Sequence, residues 1–450
     1  MNFFSIRKFL FLNLIKLNYF LIPIFIFLKS NFFIYLLLRM NLRKIKKISC
    51  KKEKRKIKII VLGKSGGLED LASSEEKYNN HVEYYHLPRP FIKAMFKYFI
   101  NDSVNIGDYK YFDNSNKIKE AKNKYRQNLV KVIRILKDEF KFDAFIGFNF
   151  NYYAERELHG ACRSLKIKFI ILQKESVWSP NEEVVIKKIY KDYTKKFEGF
   201  KIGVYSENEK KLIINSKVAK KNQIKVIGCS RLDKSFLLRK IKPKNQVVYY
   251  MIEDTRGLPY NYFLLYNEDF KKQFKFYGNK NYKNLSWSDL RKKTTDTLIQ
   301  LAKQHKNINF IFKGKVGVHR REDLPSYLPS NCKLVFGGTG DTFLKDAKIV
   351  IGWNSTIILE AMAANRFILL PYFDLKNNLF KKKFEIDFRL NSKNKGFNQK
   401  DFVEKFNILI KKSYKNKKIN YDLSPVKFHL GNSDGNSAKR LNKFLTGCFK

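Results

Sequence analysis

An α/β fold of two domains, each a parallel sheet flanked by helices, is what this sequence predicts, on three observations. The chain has 450 residues, too many for one ordinary core and enough for two domains of about 150–200 residues plus extensions. Beyond residue 56, short apolar runs alternate with stretches of helical periodicity, as the strands and crossover helices of a parallel sheet must. Residues 348–373, KIVIGWNSTIILEAMAANRFILLPYF, read as one complete βαβ unit. A buried strand over 348–352 leads into a turn carrying Asn354, Ser355 and Thr356, a helix to about Asn365, and a second buried strand ending at Pro371.

Residues 1–55 form a region of their own. Residues 17–38 are dominated by Leu, Ile, Phe and Tyr, interrupted by Pro23, Lys29, Ser30 and Asn31. The run is long enough to span a bilayer, which takes about 20 apolar residues. Lys29 near its middle costs about 3 kcal/mol on insertion scales, which the aromatic and aliphatic neighbours offset. The flank at 39–58 is thick with Lys and Arg, and Glu53 is the only acidic residue before Glu69. By the positive-inside tendency this keeps the rest of the chain cytoplasmic. Beside the span stand a helix lying in the membrane plane, with Arg7, Lys8, Lys16 and Lys29 reaching for headgroups, and a buried structural helix. No small-residue cleavage pattern follows the run, which argues against a signal peptide. Both membrane readings place the protein at the cytoplasmic face of the inner or plasma membrane.

The first domain is expected over residues 56–235. Residues 56–63, KIKIIVLG, are a strand entering the turn Lys64-Ser65-Gly66-Gly67, which lacks the glycine spacing of a phosphate loop and reads as a plain turn. Strands follow at 81–87, 142–148 and 167–172, with helices at 118–140 and 152–165, and residues 224–227 close the domain. The second domain, 236–450, starts with a strand at 246–252. Residues 254–284, rich in Tyr, Phe, Asn and Lys, show no period and read as an insertion. A helix at 290–305, strands at 309–313 and 334–337, the turn Gly338-Thr339-Gly340-Asp341 and a short helix at 342–345 precede the βαβ unit. Amphipathic stretches at 402–414 and 438–449 end the chain.

Ninety-one Lys and Arg against 41 Asp and Glu give a formal charge of +50. The joint abundance of Lys, Asn, Ile, Phe and Tyr points to a biased genome as much as to selection for charge, but such a surface is drawn to polyanions. Nucleic acid is the unfavoured member of that class: Lys is dispersed, and neither clustered Arg with stacking aromatics nor a nucleic-acid module is visible. Five scattered cysteines and six histidines, without Cys-x-x-Cys or ligand spacing, argue against zinc and a disulfide framework and fit a reducing compartment.

Ser355 and Thr356 open a helix, where free N–H groups and the positive end of the dipole favour an anion such as phosphate. Glu360 lies about a turn further on, within reach of a ribose; the plain alternative is an ordinary N-cap and a solvated Glu. An apolar strand, Asn354-Ser355-Thr356, a Glu360-Ala361 helix and a strand ending in Pro371 together resemble the nucleotide-binding half of GT-B glycosyltransferases. The likeness is to bacterial surface-carbohydrate and capsule (lipopolysaccharide) biosynthesis proteins related to CDP-glycerol glycerophosphotransferases. Residues 226–233, VIGCSRLD, are similar to that group's interdomain Gly-x-x-Arg-x-Asp segment, and residues 169–175, FIILQKE, to its strand-plus-Lys-Glu segment. The motifs span residues 142–373.

The resemblance implies two Rossmann-like domains, acceptor first and donor second, and transfer of a sugar or polyol phosphate from a nucleotide-activated donor to a surface polysaccharide or lipid-linked glycan. The donor is a substrate; no cofactor or metal is implied. On the donor side it points to Arg231, Lys313, Asn354, Ser355, Thr356 and Glu360, with Thr339 in reach of base or ribose. Arg231 offers a planar fork suited to phosphate; pairing with Asp233 is its structural alternative. Where related proteins carry Lys-Pro-His-Pro, this chain reads Lys313-Gly314-Lys315-Val316-Gly317; the Lys is kept and the His is not, and His319 is off register, a solvated loop residue. Glu175, at the carboxyl end of a strand, is the candidate base, with Lys174 to hold it. A UDP-sugar epimerase shares this fold, and an inactive scaffold or a nucleic-acid-binding protein remain the non-enzymatic alternatives.

Overall fold

The computed structural model describes every residue except 1–16, 18–19, 50–56, 65, 80, 101–110, 112–114, 259–285, 374–383, 413–418 and 420. Arg7, Lys8, Lys16, Ser65 and most of the expected insertion at 254–284 lie outside the described residues. The chain forms two compact units. Residues 1–176, 188–231 and 438–450 make the first, and residues 177–187 and 232–437 the second. Each is an α/β unit with its own sheet of parallel strands.

The first unit carries β1 (Arg43–Lys44), β2 (Ile57–Gly63), β3 (Val82–Pro88), β4 (Ala144–Gly147), β5 (Lys168–Gln173), β6 (Lys201–Val204) and β7 (Ile224–Val226). They lie in the order β1-β3-β2-β4-β5-β6-β7, all parallel except β1, which runs antiparallel to β3. The central strands are near-continuous apolar runs because both faces are covered: Ile59, Ile60, Val61, Leu62 and all of β4 are buried. Connections reverse direction between β2 and β4, the switch point where open α/β sheets hold ligands.

The helices of this unit include α1 (Asn31–Asn41), α2 (Gly67–Tyr78), α3 (Arg89–Phe99), α4 (Asn116–Phe140) and α5 (Tyr153–Ser164). In α4 the buried residues Tyr125, Leu129, Val132, Ile133, Leu136 and Phe140 recur at helical spacing, the Ser115 Oγ accepts from the Ile118 N–H, and a left-handed Lys141 ends the helix. Residues 438–450 complete the same core: Leu441, Leu445 and Cys448 cluster with Ile59, Val61, Ile146 and Ile170.

The continuous span expected over 17–38 does not form. Helical backbone over residues 20–27 stops at a turn where Lys29 takes a left-handed φ of 53°, and α1 starts again at Asn31. The N–H of Ser30 donates to Phe25 O (2.9 Å) and the rings of Phe25 and Phe33 stack at 5.1 Å, closing a helical hairpin. No helix among the described residues is long and apolar enough to cross a membrane.

The second unit carries β8 (Gln246–Tyr250), β9 (Asn309–Gly314), β10 (Cys332–Phe336), β11 (Ala347–Ile351), β12 (Phe367–Pro371) and β13 (Lys395–Gly396). All pair in parallel in the order β10-β9-β8-β11-β12-β13. Counted within the unit this is 3-2-1-4-5-6, the order of a dinucleotide-binding Rossmann sheet, with its switch point between β8 and β11. Flanking helices include α6 (Ser288–Gln304), α7 (Thr356–Ala363) and α8 (Gln399–Lys411). The short helix expected at 342–345 is a 3-10 turn over Gly340–Phe343 instead.

Candidate functional site

In the second unit the residues singled out in the sequence gather at the switch point. β11 ends in Ile351, and after Gly352 the chain turns at Trp353 and Asn354, whose φ of +45° is left-handed. Ser355 caps α7, its Oγ facing the Ile357 N–H at 3.5 Å, and Thr356 is the helix's first residue. α7 therefore presents its free N–H groups at the carboxyl edge of the sheet. One turn on, Glu360 is buried to 9% exposure, so the solvated-Glu alternative does not hold. It lies against the Gly338-Thr339-Gly340-Asp341 turn: a Cβ on Gly340 would stand 3.9 Å from Glu360 Oε2 and 3.1 Å from Ile357 Cδ1. Tyr250, at the end of β8, donates its hydroxyl to Gly340 O at 2.5 Å. Burial, then the charges of Glu360 and Asp341, hold that phenol well above its usual pKa. Gly337 and Gly338 both have positive φ, 75° and 72°, which lets the chain fold back here. Thr339 and Thr342 hydroxyls share a hydrogen bond of 2.9 Å.

Three expectations in this unit meet a different geometry. Asn354 is fully buried; its amide donates to Phe384 O (2.8 Å) and its Oδ1 accepts from Ile386 N (3.0 Å), so the side chain holds the 384–386 segment. Lys313 is buried at the end of β9, its ammonium donates to Gly314 O at 3.0 Å, and burial lowers its pKa. His319 is buried, not solvated. Lys315 N–H donates to His319 Nδ1 (3.0 Å), which leaves Nε2–H to donate to Ile252 O (3.1 Å), and the ring clamps the 315–319 turn against the end of β8. Arg366, fully buried and not foreseen, donates to four backbone carbonyls: Leu344 O (2.8 Å), Lys345 O (3.1 Å), Ile241 O (3.2 Å) and Leu238 O (3.2 Å). It fixes the segment that follows the glycine turn.

In the first unit Lys174 and Glu175 follow β5, as expected, and pair at 2.8 Å with side chains 16% and 34% exposed. Gln173, fully buried, orients them: its amide donates to Glu175 O (3.2 Å) and its Oε1 accepts from Phe150 N (3.3 Å). Lys64 follows β2 close to this pair. Burial first, then the nearby cations Lys174 and Arg89, lower its pKa. Arg89 stacks over the Tyr152 ring at 3.9 Å and pairs with buried Glu155.

Arg231 is held by Asp70 and Tyr205. Its Nη1 donates to Asp70 Oδ2 (2.8 Å) and Tyr205 Oη (2.9 Å), and its N–H donates to Asp70 Oδ1 (3.1 Å). Tyr205 also donates to Asp70, and Ser230 Oγ donates to Asp70 O at 2.6 Å. Asp233 instead accepts from Asn432 Nδ2 (2.6 Å) and Ser437 N (3.1 Å). Asp70 is the residue sequence reasoning missed: it lies in α2, whose few apolar residues give no clear helical period. Among the described residues no group of three or more His, Cys, Asp or Glu converges as metal ligands.

No protein-family model matches this chain, and no curated protein matches it. Among solved structures, the UDP-GlcNAc 2-epimerase of Methanocaldococcus jannaschii is similar at 13% identity and a TM-score of 0.46, over 87% of this chain and 99% of that one. The Neisseria meningitidis UDP-GlcNAc 2-epimerase bound to UDP-GlcNAc is similar at 13% identity and 0.44, over 87% and 99%. A glycosyltransferase of Rickettsia africae is similar at 12% identity and 0.44, over 87% and 98%. Likeness at this level assigns this chain neither a reaction nor a substrate.

Proposed function

We propose that this protein is a metal-independent GT-B glycosyltransferase that moves a sugar, or a polyol phosphate, from a nucleotide-activated donor to a surface polysaccharide or lipid-linked glycan. The reading is carried by one observation: Ser355, Thr356 and Glu360 sit at the switch point of a 3-2-1-4-5-6 parallel sheet, beside a two-glycine turn. There the N–H groups of α7 and the hydroxyls of Ser355 and Thr356 take the donor phosphates, and Glu360 accepts from the ribose hydroxyls. Thr339 on the glycine turn contacts the base. As the anomeric C–O bond to phosphate breaks, negative charge grows on the departing nucleotide, and donors already aimed at it lower the barrier. In the first unit Glu175 takes the proton of the acceptor hydroxyl whose oxygen forms the new glycosidic bond, with Lys174 holding the carboxylate in position.

The test is thermal stabilisation of the full chain by CMP, CDP, UDP, GDP and their sugar conjugates. A ligand that binds only the folded form adds about 2.7 kcal/mol at a hundredfold excess over Kd. One nucleotide class is expected to shift the midpoint, and Ser355→Ala with Glu360→Ala to abolish that shift without lowering the ligand-free midpoint by more than a few degrees. Turnover that needs no acceptor, giving an altered nucleotide sugar, selects the epimerase reading. A midpoint that moves with no nucleotide but with RNA or DNA overturns the proposal. Loss of glycosyl transfer in Glu175→Gln, with donor binding kept, is the result expected of the base.

A further inference from the structure

The amino-terminal hairpin buries one face and exposes the other. Ile22, Ile26, Ile34, Leu37 and Leu38 are buried, and Asn31 accepts from Asn128 Nδ2 of α4 at 3.1 Å, so the hairpin is part of the first unit's packing. Its outer surface carries Phe20 (65% exposed), Phe27 (75%), Leu28 (62%), Phe32 (56%), Phe33 (49%) and Met40 (62%). Large apolar side chains this exposed and this close together mark an interaction surface.

The distribution of charge identifies what the surface fits. On α1 the exposed positions Phe32, Phe33, Arg39 and Met40 follow helical spacing, so Arg39 lies on the apolar face more than two turns from the hairpin's turn. Arg43, Lys44, Lys46 and Lys47 follow at once, all exposed. Lys44 and Lys47 pair with Glu83 and Glu76, and Arg39 stacks over the Phe140 ring at 4.9 Å. The apolar turn and the cationic base are separated by the length of α1, about 16 Å for 11 residues. Apolar groups that reach the acyl boundary with cations left among the headgroups are what an anionic bilayer surface binds.

We infer that this hairpin docks the protein onto an anionic phospholipid bilayer, lying in one leaflet without crossing it, the apolar turn among the acyl chains and Arg39, Arg43, Lys46 and Lys47 among the headgroups. The inference is independent of the reaction the protein performs.

Flotation of the full-length chain with vesicles tests it, using phosphatidylcholine alone and phosphatidylcholine mixed with phosphatidylglycerol. The protein is expected to float with the mixed vesicles and to bind the neutral ones more weakly. Phe27→Ser with Leu28→Ser, at exposed positions that leave the fold and its thermal midpoint intact, is expected to cut binding about tenfold or more. Arg39→Gln with Lys46→Gln is expected to remove the preference for the anionic lipid. Binding that survives the serine substitutions and vanishes in high salt overturns the inference, because charge alone would then explain it. So does failure to float by a chain whose mass in size-exclusion chromatography is that of a dimer and falls to a monomer in the serine variant; a second copy then covers the face.

Discussion

Exchanging Asp70 for Asn keeps the side chain's shape and removes its charge, which isolates what the carboxylate does for Arg231. Asp70 is 4% exposed, and both oxygens face donors: Oδ1 meets the Arg231 N–H, and Oδ2 meets Arg231 Nη1 and the Tyr205 hydroxyl. Either placement of an amide NH2 therefore turns a donor onto a donor. Breaking a buried ion pair from one side costs roughly 3–5 kcal/mol; with Arg231 21% exposed the lower end applies, about 3 kcal/mol. For a domain of this size that is about 6–12 °C in Tm. Trp178, Trp287 and Trp353, the three tryptophans, all belong to the second unit, so intrinsic fluorescence is blind to the event. Amide hydrogen exchange in peptides covering β2, β4 and β7 is the assay. Arg231→Met is expected to cost a similar amount, and the double variant about as much as either single one, since they share one interaction. Exchange in Asp70→Asn within about 0.5 kcal/mol of the parent, or strict additivity in the double variant, would refute the assignment of Arg231 to a structural pair and return its guanidinium to the donor phosphate.

Glu75 is buried against Tyr84, Asn442 and Ser74, and burial pushes its carboxyl up to about 7. The folded form keeps this proton up to about pH 7 while the unfolded chain releases it near 4.5. Between those values the native state binds more protons, and stability falls as pH rises, by about 3 kcal/mol at most. Glu75→Gln is expected to be more stable than the parent at pH 8 by up to that amount and nearly equal to it at pH 4.5; equal urea midpoints at pH 8 would contradict this. Arg366→Met leaves its own pocket and the buried Leu344 carbonyl without their donor, loosens three further carbonyls, and is expected to cost about 2–3 kcal/mol. The loss is read from the urea midpoint of tryptophan fluorescence, together with faster exchange at 338–345.

The βαβ unit at 348–373 was legible because its strands are buried on both faces, which forces long apolar runs, and because Ser before an apolar helical stretch marks a cap. Helix α4 was legible for its period. Helices α2 and α3 were not. The inner face of α2 is made of Asp70, Leu71, Ser74 and Glu75, whose polar members are satisfied by Ser230, Arg231 and Ala438, far along the chain. No local pattern announces such partners. The same holds at the site. The positions of Ser355, Thr356 and Glu360 follow from local spacing, whereas the packing duties of Asn354, His319 and Arg231 depend on segments from thirty to more than a hundred residues away. The break in the first hydrophobic run was written in Lys29 and Ser30, and the strength of the surrounding apolar pattern outweighed it.

Residues 438–450 have a bearing on how this protein is made. Leu441, Leu445 and Cys448 belong to the core of the first unit, and Lys168 at the foot of β5 donates to Cys448 O at 2.8 Å. A ribosome adding about 5–20 residues per second has finished every strand of both sheets before it reaches them. The first unit to emerge thus closes late, and it waits with an open apolar seam until residues 438–450 are made. Loss of those residues strikes the half of the molecule that was synthesised first.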